Sequence, residues 1–551
     1  MSMVGNAAIL YAADAYVTDR QDLKGRHAAG AGFLRGLFRH LQAPNFACLA
    51  NTRPEAETFA AQARANGRGE PVHWIAPATL KEVSQVGALH VPDPSLAPWA
   101  WRRRISGAQG FSLTGVTHTI CSAGTLEVYR DLLTAPIESW DAVICTSRAA
   151  RAVMEAGFAE WEDYLGDRLN AQRFTRPQLP VIPLGVHADL FAPVDAPASR
   201  AGLRAELGLA EDDVAVLFFG RLAFHAKGHP LPMLLGLEEA RMRTGRNLVL
   251  LLCGRYPNPE TGEEFARAAK DFCPNVPMLY IDGTDEARCR AVWHAADIFT
   301  SLSDNLQETF GLTPVEAMAA GLPVVASDWD GYRDTIADGE TGILIPTLTA
   351  PLGSGRIIGR AYAEGLLNYD HYIGSASLCT AVDIPACAEA YARLASDPAL
   401  RRRMGEAGRR RVRERFDWKV VIAAYQALWA ELAERRRAGT ETAPPRPDGP
   451  VWPCRDDPFS LFRSFPSRVL DEETVLTLTA APEVLDTRLG LGMNTYSLPM
   501  LFSREEVGGL VQRLASGPIR LGDLQGKDSA QTQALRRAAA WLIKMGMAQA
   551  G

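Results

Sequence analysis

The sequence predicts an α/β protein, with two doubly wound domains in series and a small, mainly helical unit behind them. Short runs rich in Val, Ile and Leu alternate with stretches of helical periodicity, the pattern of parallel strands covered on both faces. These runs form two series, parted by "FAPVDAPASRAGLRAELG" (191–208). Behind the second series, "AGTETAPPRPDGPVWPCRDDP" (438–458) reads as a linker from its Pro and Gly content.

Taken in order, "AAILYAAD" (7–14), "GVTHTICS" (115–122), "DAVICTS" (141–147) and "LPVIPLGV" (179–186) read as buried strands of the first domain. "DVAVLFFGRL" (213–222), "NLVLLLCG" (247–254), "VPMLYIDG" (276–283), "DIFTSLS" (297–303) and "LPVVAS" (322–327) do the same in the second. Residues 348–382 read as an insertion between a strand and the next helix. The arginine-rich "LRRRMGEAGRRRVRERF" (400–416) is expected to be the solvated face of a surface helix. "FDWKVVIAAYQALWAELAERRR" follows as a strong amphipathic helix. The domain boundaries predicted are 1–195, 196–416, a helix over 417–437, a linker over 438–469 and a terminal unit over 470–551.

Composition excludes several function classes. The 551 residues carry a formal net charge of −6, too mild to suggest a nucleic-acid or membrane-surface partner. The nine cysteines form no C-x-x-C pair, which argues for reduced thiols and against a disulfide framework or a zinc site. No apolar run reaches the roughly 18 residues of a membrane span. The N-terminal run is broken at Asp14 and has no basic lead-in, so no signal peptide is expected and the localisation expected is cytoplasmic. No G-x-G-x-x-G follows the first strand, so dinucleotide binding is not supported.

The stretch "LQETFGLTPVEAMAAGLPVVAS", Leu306 to Ser327, holds the densest chemistry. Thr313 suits an N-cap, Pro314 the first helical position, and Glu316 the third place of a capping box, with Gly321 and Pro323 ending the helix. Glu308 lies ahead of this helix, in the loop after strand 297–303. A carboxylate at the carboxyl end of a parallel strand faces the ligand crevice. The helix start turns free amides and a positive dipole end to the same place, which suits a phosphate.

With "FGLTPVEAMAAGLPVVAS" behind it, the Glu308-(seven residues)-Glu316 pattern resembles the retaining GT-B glycosyltransferases of family 4. "GRLAFHAKG" (220–228), "VWHAADIFTSLSDN", "DGETGILIP" (338–346), "DAVICTSRAARAVMEAG" and "VIPLGVHADLF" match in the same order, over roughly residues 5–435. The resemblance implies a GT-B fold of two Rossmann-like domains and a nucleotide-diphosphate sugar as donor. It implies that Arg221 and Lys227 neutralise the departing diphosphate, Arg with a planar fork and Lys as a point charge. It implies that Glu316 holds the ribose hydroxyls and that Glu308 lies against the transferred sugar. Amides of Phe310, Gly311, Leu312 and Thr313 would approach sugar and phosphate, and His118 would stand near the reaction centre. Gly25, in "LKGRHAAGAGFLRGL" (23–37), takes the place of a glycine loop that touches the diphosphate, with Lys24 where that loop's first glycine usually stands. The helix 417–437 would return to the first domain, and the domains would close on the donor about hinges near 191–200 and 415–420.

Asp328-Trp329-Asp330 matches a metal-binding Asp-x-Asp pattern but follows the wrong strand. With Arg221 and Lys227 serving the phosphates, neither metal nor cofactor is expected. A GT-B synthase or phosphorylase using a soluble sugar phosphate shares the same phosphate site. A non-enzymatic regulatory protein acting through the tail is the third reading, disfavoured by the intact charged set. The acceptor stays open among glycan, lipid-linked, protein and small-molecule classes. In the tail, 503–517 and 527–549 are helical by their apolar spacing, with "PIRLGDLQG" (518–526) as a short turn or helix between them. That order resembles a winged-helix or other helix-turn-helix unit. Its basic residues Arg513, Arg520, Lys527, Arg536, Arg537 and Lys544 are too sparse for a DNA-binding face. A partner, acceptor-docking or oligomerisation role is expected instead of nucleic-acid binding.

Overall fold

The computed structural model describes residues 5–16, 25–191, 196–446, 449–455 and 457–551. The chain divides into two compact units, Met1–Trp452 and Pro453–Gly551. The first unit holds two six-stranded sheets of parallel strands. In the first sheet the order is β3-β2-β1-β4-β5-β6. Its strands are β1 (Ala8–Leu10), β2 (Phe46–Leu49), β3 (Val72–Ile75), β4 (Ala88–His90), β5 (Ser112–Val116) and β6 (Ala142–Ile144). The second sheet repeats the plan as β12-β11-β10-β7-β8-β9. It is made of β7 (Val214–Arg221), β8 (Leu248–Arg255), β9 (Met278–Asp282), β10 (Ile298–Ser301), β11 (Val324–Ser327) and β12 (Gly342–Ile345). Each order reverses once, between β1 and β4 and between β7 and β10, and such a switch point opens a crevice at the carboxyl ends of the strands. Two doubly wound halves of this kind make the GT-B fold.

Two expected strands are placed differently. Of the run 115–122 only Gly115 and Val116 are strand: β5 begins at Ser112 and ends at Val116, leaving His118 in the bend beyond it. The run 179–186 is extended but joins the first domain only through bridges of Gln178 to Ala142 and of Val181 to Cys145. Pro180 and Pro183 remove the amides a ladder strand needs.

The helix Trp418–Ala438 returns to the first domain, burying Trp418, Ile422, Tyr425, Trp429 and Leu432 among Ile9, Phe33, Leu37 and Ile144. Glycine is required where this happens. A Cβ at Gly36 would stand 2.7 Å from the Trp418 ring, and one at Gly185 2.4 Å from it. The two passages between the lobes run side by side, with the Val186 amide on the Phe416 carbonyl at 2.7 Å and the Trp418 amide on Val186 at 3.3 Å. Residues 192–195 of the expected first hinge lie outside the described residues.

The stretch expected as a linker from 438 does not begin as one. Gly439 accepts from Gln109 Nε2 at 2.5 Å, Thr442 Oγ1 donates to the buried Glu138 at 2.7 Å, and Ala443 accepts from Arg104 at 2.8 Å. Trp452 stacks on Trp101, their ring centroids 5.8 Å apart. The arginines of helix Pro398–Arg411 are likewise not all solvated: Arg409 donates to the Ala320 carbonyl at 2.5 Å, and Arg411 to Asp334 and Thr335 at 2.8 Å.

In the second unit β15 (Val475–Leu478) lies between β16 (Ile519–Arg520) and β17 (Ala548–Ala550), all antiparallel. An earlier hairpin of β13 (Thr347–Thr349) and β14 (Thr380–Val382) belongs to the insertion. The tail helices span Arg504–Ala515 and Ser529–Lys544 and close a core of Leu476, Val507, Leu510, Leu514, Ala538 and Leu542. The second helix therefore stops short of 549, since Gly546 at φ 67° turns the chain into β17. Among the tail's basic residues, Arg520 and Arg536 pair with Glu473 and Glu472, and Arg537 donates to the Leu501 carbonyl. Among the described residues no helix is long and apolar enough to cross a membrane.

Candidate functional site

The site forms where β7 and β10 end, on either side of the second domain's switch point. β7 delivers Arg221 at its last residue, and the loop after it carries Lys227. The loop after β10 carries Asp304, Asn305, Gln307 and Glu308 and leads into helix Leu312–Ala320. The two loops are tied to each other by neutral side chains. Asn305 Nδ2 donates to the His225 carbonyl at 2.5 Å, and Gln307 Nε2 donates to the Ala226 carbonyl at 3.2 Å. Across this brace Lys227 Nζ forms an ion pair with Glu308 Oε2.

Both charges are kept. Burial raises the Glu308 carboxyl, but Lys227 and the amides of Phe310 and Thr309 outweigh it, so the group stays below the usual carboxylate range. Burial disfavours the Lys227 ammonium, but Glu308 and Tyr332 outweigh that and push its pKa up. The Tyr332 hydroxyl lies 2.7 Å from Ser301 Oγ and 3.5 Å from Glu308 Oε2. Arg221, by contrast, is exposed and makes no ion pair among the described residues. With Lys227, Gly228 and His229 it lines a shallow, open depression.

The helix start differs from the expected capping box. Its N-cap is Gly311, not Thr313, and no side chain caps it. Gly311 sits at φ 89°, and a Cβ there would come within 2.2 Å of the Tyr332 ring, so both backbone and space demand glycine. Thr313 moves inside the helix, where its buried hydroxyl has no partner among the described residues, and neither have the buried Asp304 Oδ1 and Ser303 Oγ nearby in sequence. Such groups are open to water or to the hydrogen-bonding atoms of a ligand. Glu316 is half-buried and makes no hydrogen bond among the described residues. Burial raises its carboxyl to about 7 against the pull of Lys227.

The other expected residues are more scattered. His118 lies past the end of β5, its Nε2 3.0 Å from the Pro92 carbonyl. A carbonyl only accepts, so Nε2 carries the proton and Nδ1 is the acceptor in the neutral ring. Gly25 opens helix Gly25–His40 and is exposed, with nothing within 4 Å of a Cβ built there. The glycine-loop residues 17–24 lie outside the described residues. In the Asp-x-Asp stretch, Asp328 is occupied by Arg333 at 2.8 Å. Asp330, at φ 47°, is held well above the usual carboxylate range by burial and by the Glu308 charge. Tyr332, Asn305 and Gln307 were not singled out from the sequence. Asn305 and Gln307 are neutral loop residues and Tyr332 opens the short helix Tyr332–Thr335, all outside any charged motif, and only tertiary approach gives them a role.

Residues 199–350 match the family model described as glycosyl transferases group 1. The chain is 26% identical over 292 residues to a D-inositol 3-phosphate glycosyltransferase of Corynebacterium efficiens, covering 53% of this chain and 59% of that one. It is 29% identical over 350 residues to a phosphatidyl-myo-inositol mannosyltransferase of Mycobacterium leprae, covering 63% and 73%. A solved glycosyltransferase from Rickettsia africae superposes with a TM-score of 0.50 at 14% identity, over 78% of this chain and 98% of that one, a likeness of fold. The part of the chain that bears Arg221, Lys227, Glu308 and Glu316 is thus similar to the glycosyl transferases group 1.

Proposed function

We propose that this protein transfers a sugar, with retention, from a nucleotide-diphosphate sugar to a hydroxyl acceptor, and needs no metal to do so. The observation that carries the reading is the Lys227–Glu308 pair, braced at the ends of β7 and β10 and set beside the start of helix Leu312–Ala320. Negative charge grows on the diphosphate as the glycosidic bond breaks. Lys227 and the helix amides are positive groups fixed in advance, the arrangement that stabilises such a transition state most effectively, and the exposed Arg221 adds positive charge beside them. Positive charge from these groups does the work a divalent ion would do elsewhere.

Glu308 is ionised and committed to Lys227, so its role is to accept from hydroxyls of the transferred sugar. Burial, with the Glu308 charge, pushes the carboxyl of Asp330 beside it well above the usual carboxylate range and disfavours its ionised form. Neither is a free carboxylate nucleophile of the kind retaining glycosidases use. Attack from the face that the diphosphate leaves preserves the configuration without one. Glu316, once ionised, accepts from the ribose hydroxyls, and His118 stands on the opposite lobe, its Nε2 held at the Pro92 carbonyl.

A transfer assay in excess chelator, with the product anomer read by proton NMR, tests the proposal. Turnover unchanged by chelator and a product with the donor's configuration are expected. Rescue by Mn²⁺ or Mg²⁺ of an enzyme that chelator has silenced, or an inverted product, contradicts it.

A further inference from the structure

The insertion is a folded unit in its own right: β13 and β14 pair antiparallel, and helices Arg356–Ala363 and Tyr369–Ser377 lie between them. Three of its tyrosines face inward. Tyr362 and Tyr372 stack at 4.3 Å, and the Tyr362 hydroxyl accepts the Ala123 amide at 2.9 Å, the first amide of helix Ala123–Thr134 in the opposite lobe. Tyr369 donates to Gln307 Oε1 at 3.0 Å and lies 3.4 Å from Cys121 Sγ, also of the opposite lobe. Because the single tyrosine proton goes to Gln307, the thiol is the donor of the second bond. Under these bonds Ile373 joins Cys121, Ala223 and Ala226 in a small apolar cluster.

The position of Gln307 gives this contact its meaning. Its amide joins the residue before Lys227 to the residue before Glu308, with Nε2 on the Ala226 carbonyl and Oε1 held by Tyr369. One hydroxyl thus fixes the orientation of the brace that registers the ion pair, and the same hydroxyl touches the other lobe. A second inter-lobe strut, Arg148 on Asp334 at 2.5 Å, is not connected to the brace by any hydrogen bond among the described residues.

We propose that Tyr369 is a positioning residue and that the 347–382 unit is a clasp, which registers Lys227 against Glu308 only when the two lobes are together. Its effect on turnover rests on the transferase reading above, whereas the clasp itself does not. The Tyr369 hydroxyl is kept protonated chiefly by burial, so it remains a donor at any working pH.

Two readouts on the full chain test this. In the transfer assay Tyr369→Phe keeps the ring and removes the hydroxyl. Turnover should fall roughly tenfold while the KM for donor stays within about twofold. Ile357→Ser, at an exposed site on the same unit, should behave as wild type. Independently, alkylation of Cys121 by a maleimide is followed by peptide mass spectrometry, with the exposed Cys379 and Cys454 as references. Cys121 should react slowly in wild type and roughly fivefold or more faster in the Tyr362→Phe, Tyr369→Phe double variant, because local opening sets its access. Cys121 reactivity equal to wild type in that variant overturns the clasp. Accelerated Cys121 with unchanged turnover in Tyr369→Phe overturns the positioning role. Absence of transfer by the wild type from any nucleotide sugar would count against the transferase reading alone, since the thiol readout still decides the clasp.

Discussion

Three carboxyls around one ammonium are sorted by their surroundings at the level of single residues. Glu308 is drawn down by Lys227, Asp330 is pushed up by burial next to Glu308, and Glu316 is raised by burial to about 7. At about 7, Glu316 titrates where the protein is handled. Protonated, it cannot accept from two ribose hydroxyls; ionised, it can, with a charge-assisted bond of roughly 1.5–3 kcal/mol. Donor affinity should therefore rise with pH through about 7 and then level off. Titration with an intact nucleotide sugar avoids the terminal phosphate ionisation of a nucleoside diphosphate. Glu316→Gln should bind more weakly at high pH and lose the pH dependence; a flat wild-type profile would remove Glu316 from the ribose. Stability runs the other way. A carboxyl raised in the folded state holds its proton more tightly there, so ionising it as pH rises through this range costs stability.

Among the elements, helix Leu312–Ala320 shows how much of the site can be read from sequence and how much cannot. The helix, its glycine stop and the loop ahead of it were legible, because "TPVEAMAAG" carries periodicity and punctuation together. The capping box was not, because Gly311 in the left-handed region starts the helix earlier and draws Thr313 inside it. Gly311→Ala combines the wrong φ with a clash on Tyr332, and should cost about 1–3 kcal/mol of stability by chemical denaturation. A change below about half a kcal/mol would show that the Tyr332 ring yields freely. The strands divide in a similar way. β7, β8, β10 and β11 are continuous apolar runs, and the sequence places them to within a few residues. β3 exposes His73 and Trp74 and β4 is only Ala88–His90, so no comparable apolar run announces them. Composition alone also misreads 439–452, since Pro and Gly content marks a lack of helix and strand but says nothing about docking.

For the whole molecule, that docked stretch decides where the catalytic body ends. A chain ending after Arg436 leaves Glu138, buried among Arg103, Asp141 and Thr442, without the Thr442 amide and hydroxyl. It also uncovers Trp140 where Gly439 packs against the ring. A chain ending after Trp452 keeps all of these. Both should retain the two-sheet body, but the shorter one should melt several degrees lower, consistent with about 1–3 kcal/mol for a buried group left unpaired. Equal melting temperatures would mean that 439–452 only rests on the surface.

In the proposed reaction Lys227, poised on Glu308, receives the diphosphate of a nucleotide donor without metal. Calorimetric titration of a nucleoside diphosphate into wild type and Lys227→Ala, both in chelator, measures this most directly. Wild type should bind, and the variant should lose roughly 1.5–3 kcal/mol, the worth of a hydrogen bond to a charged group, about ten- to a hundredfold in Kd. Equal affinity in the two proteins, or binding by wild type only after a divalent ion is restored, would contradict it.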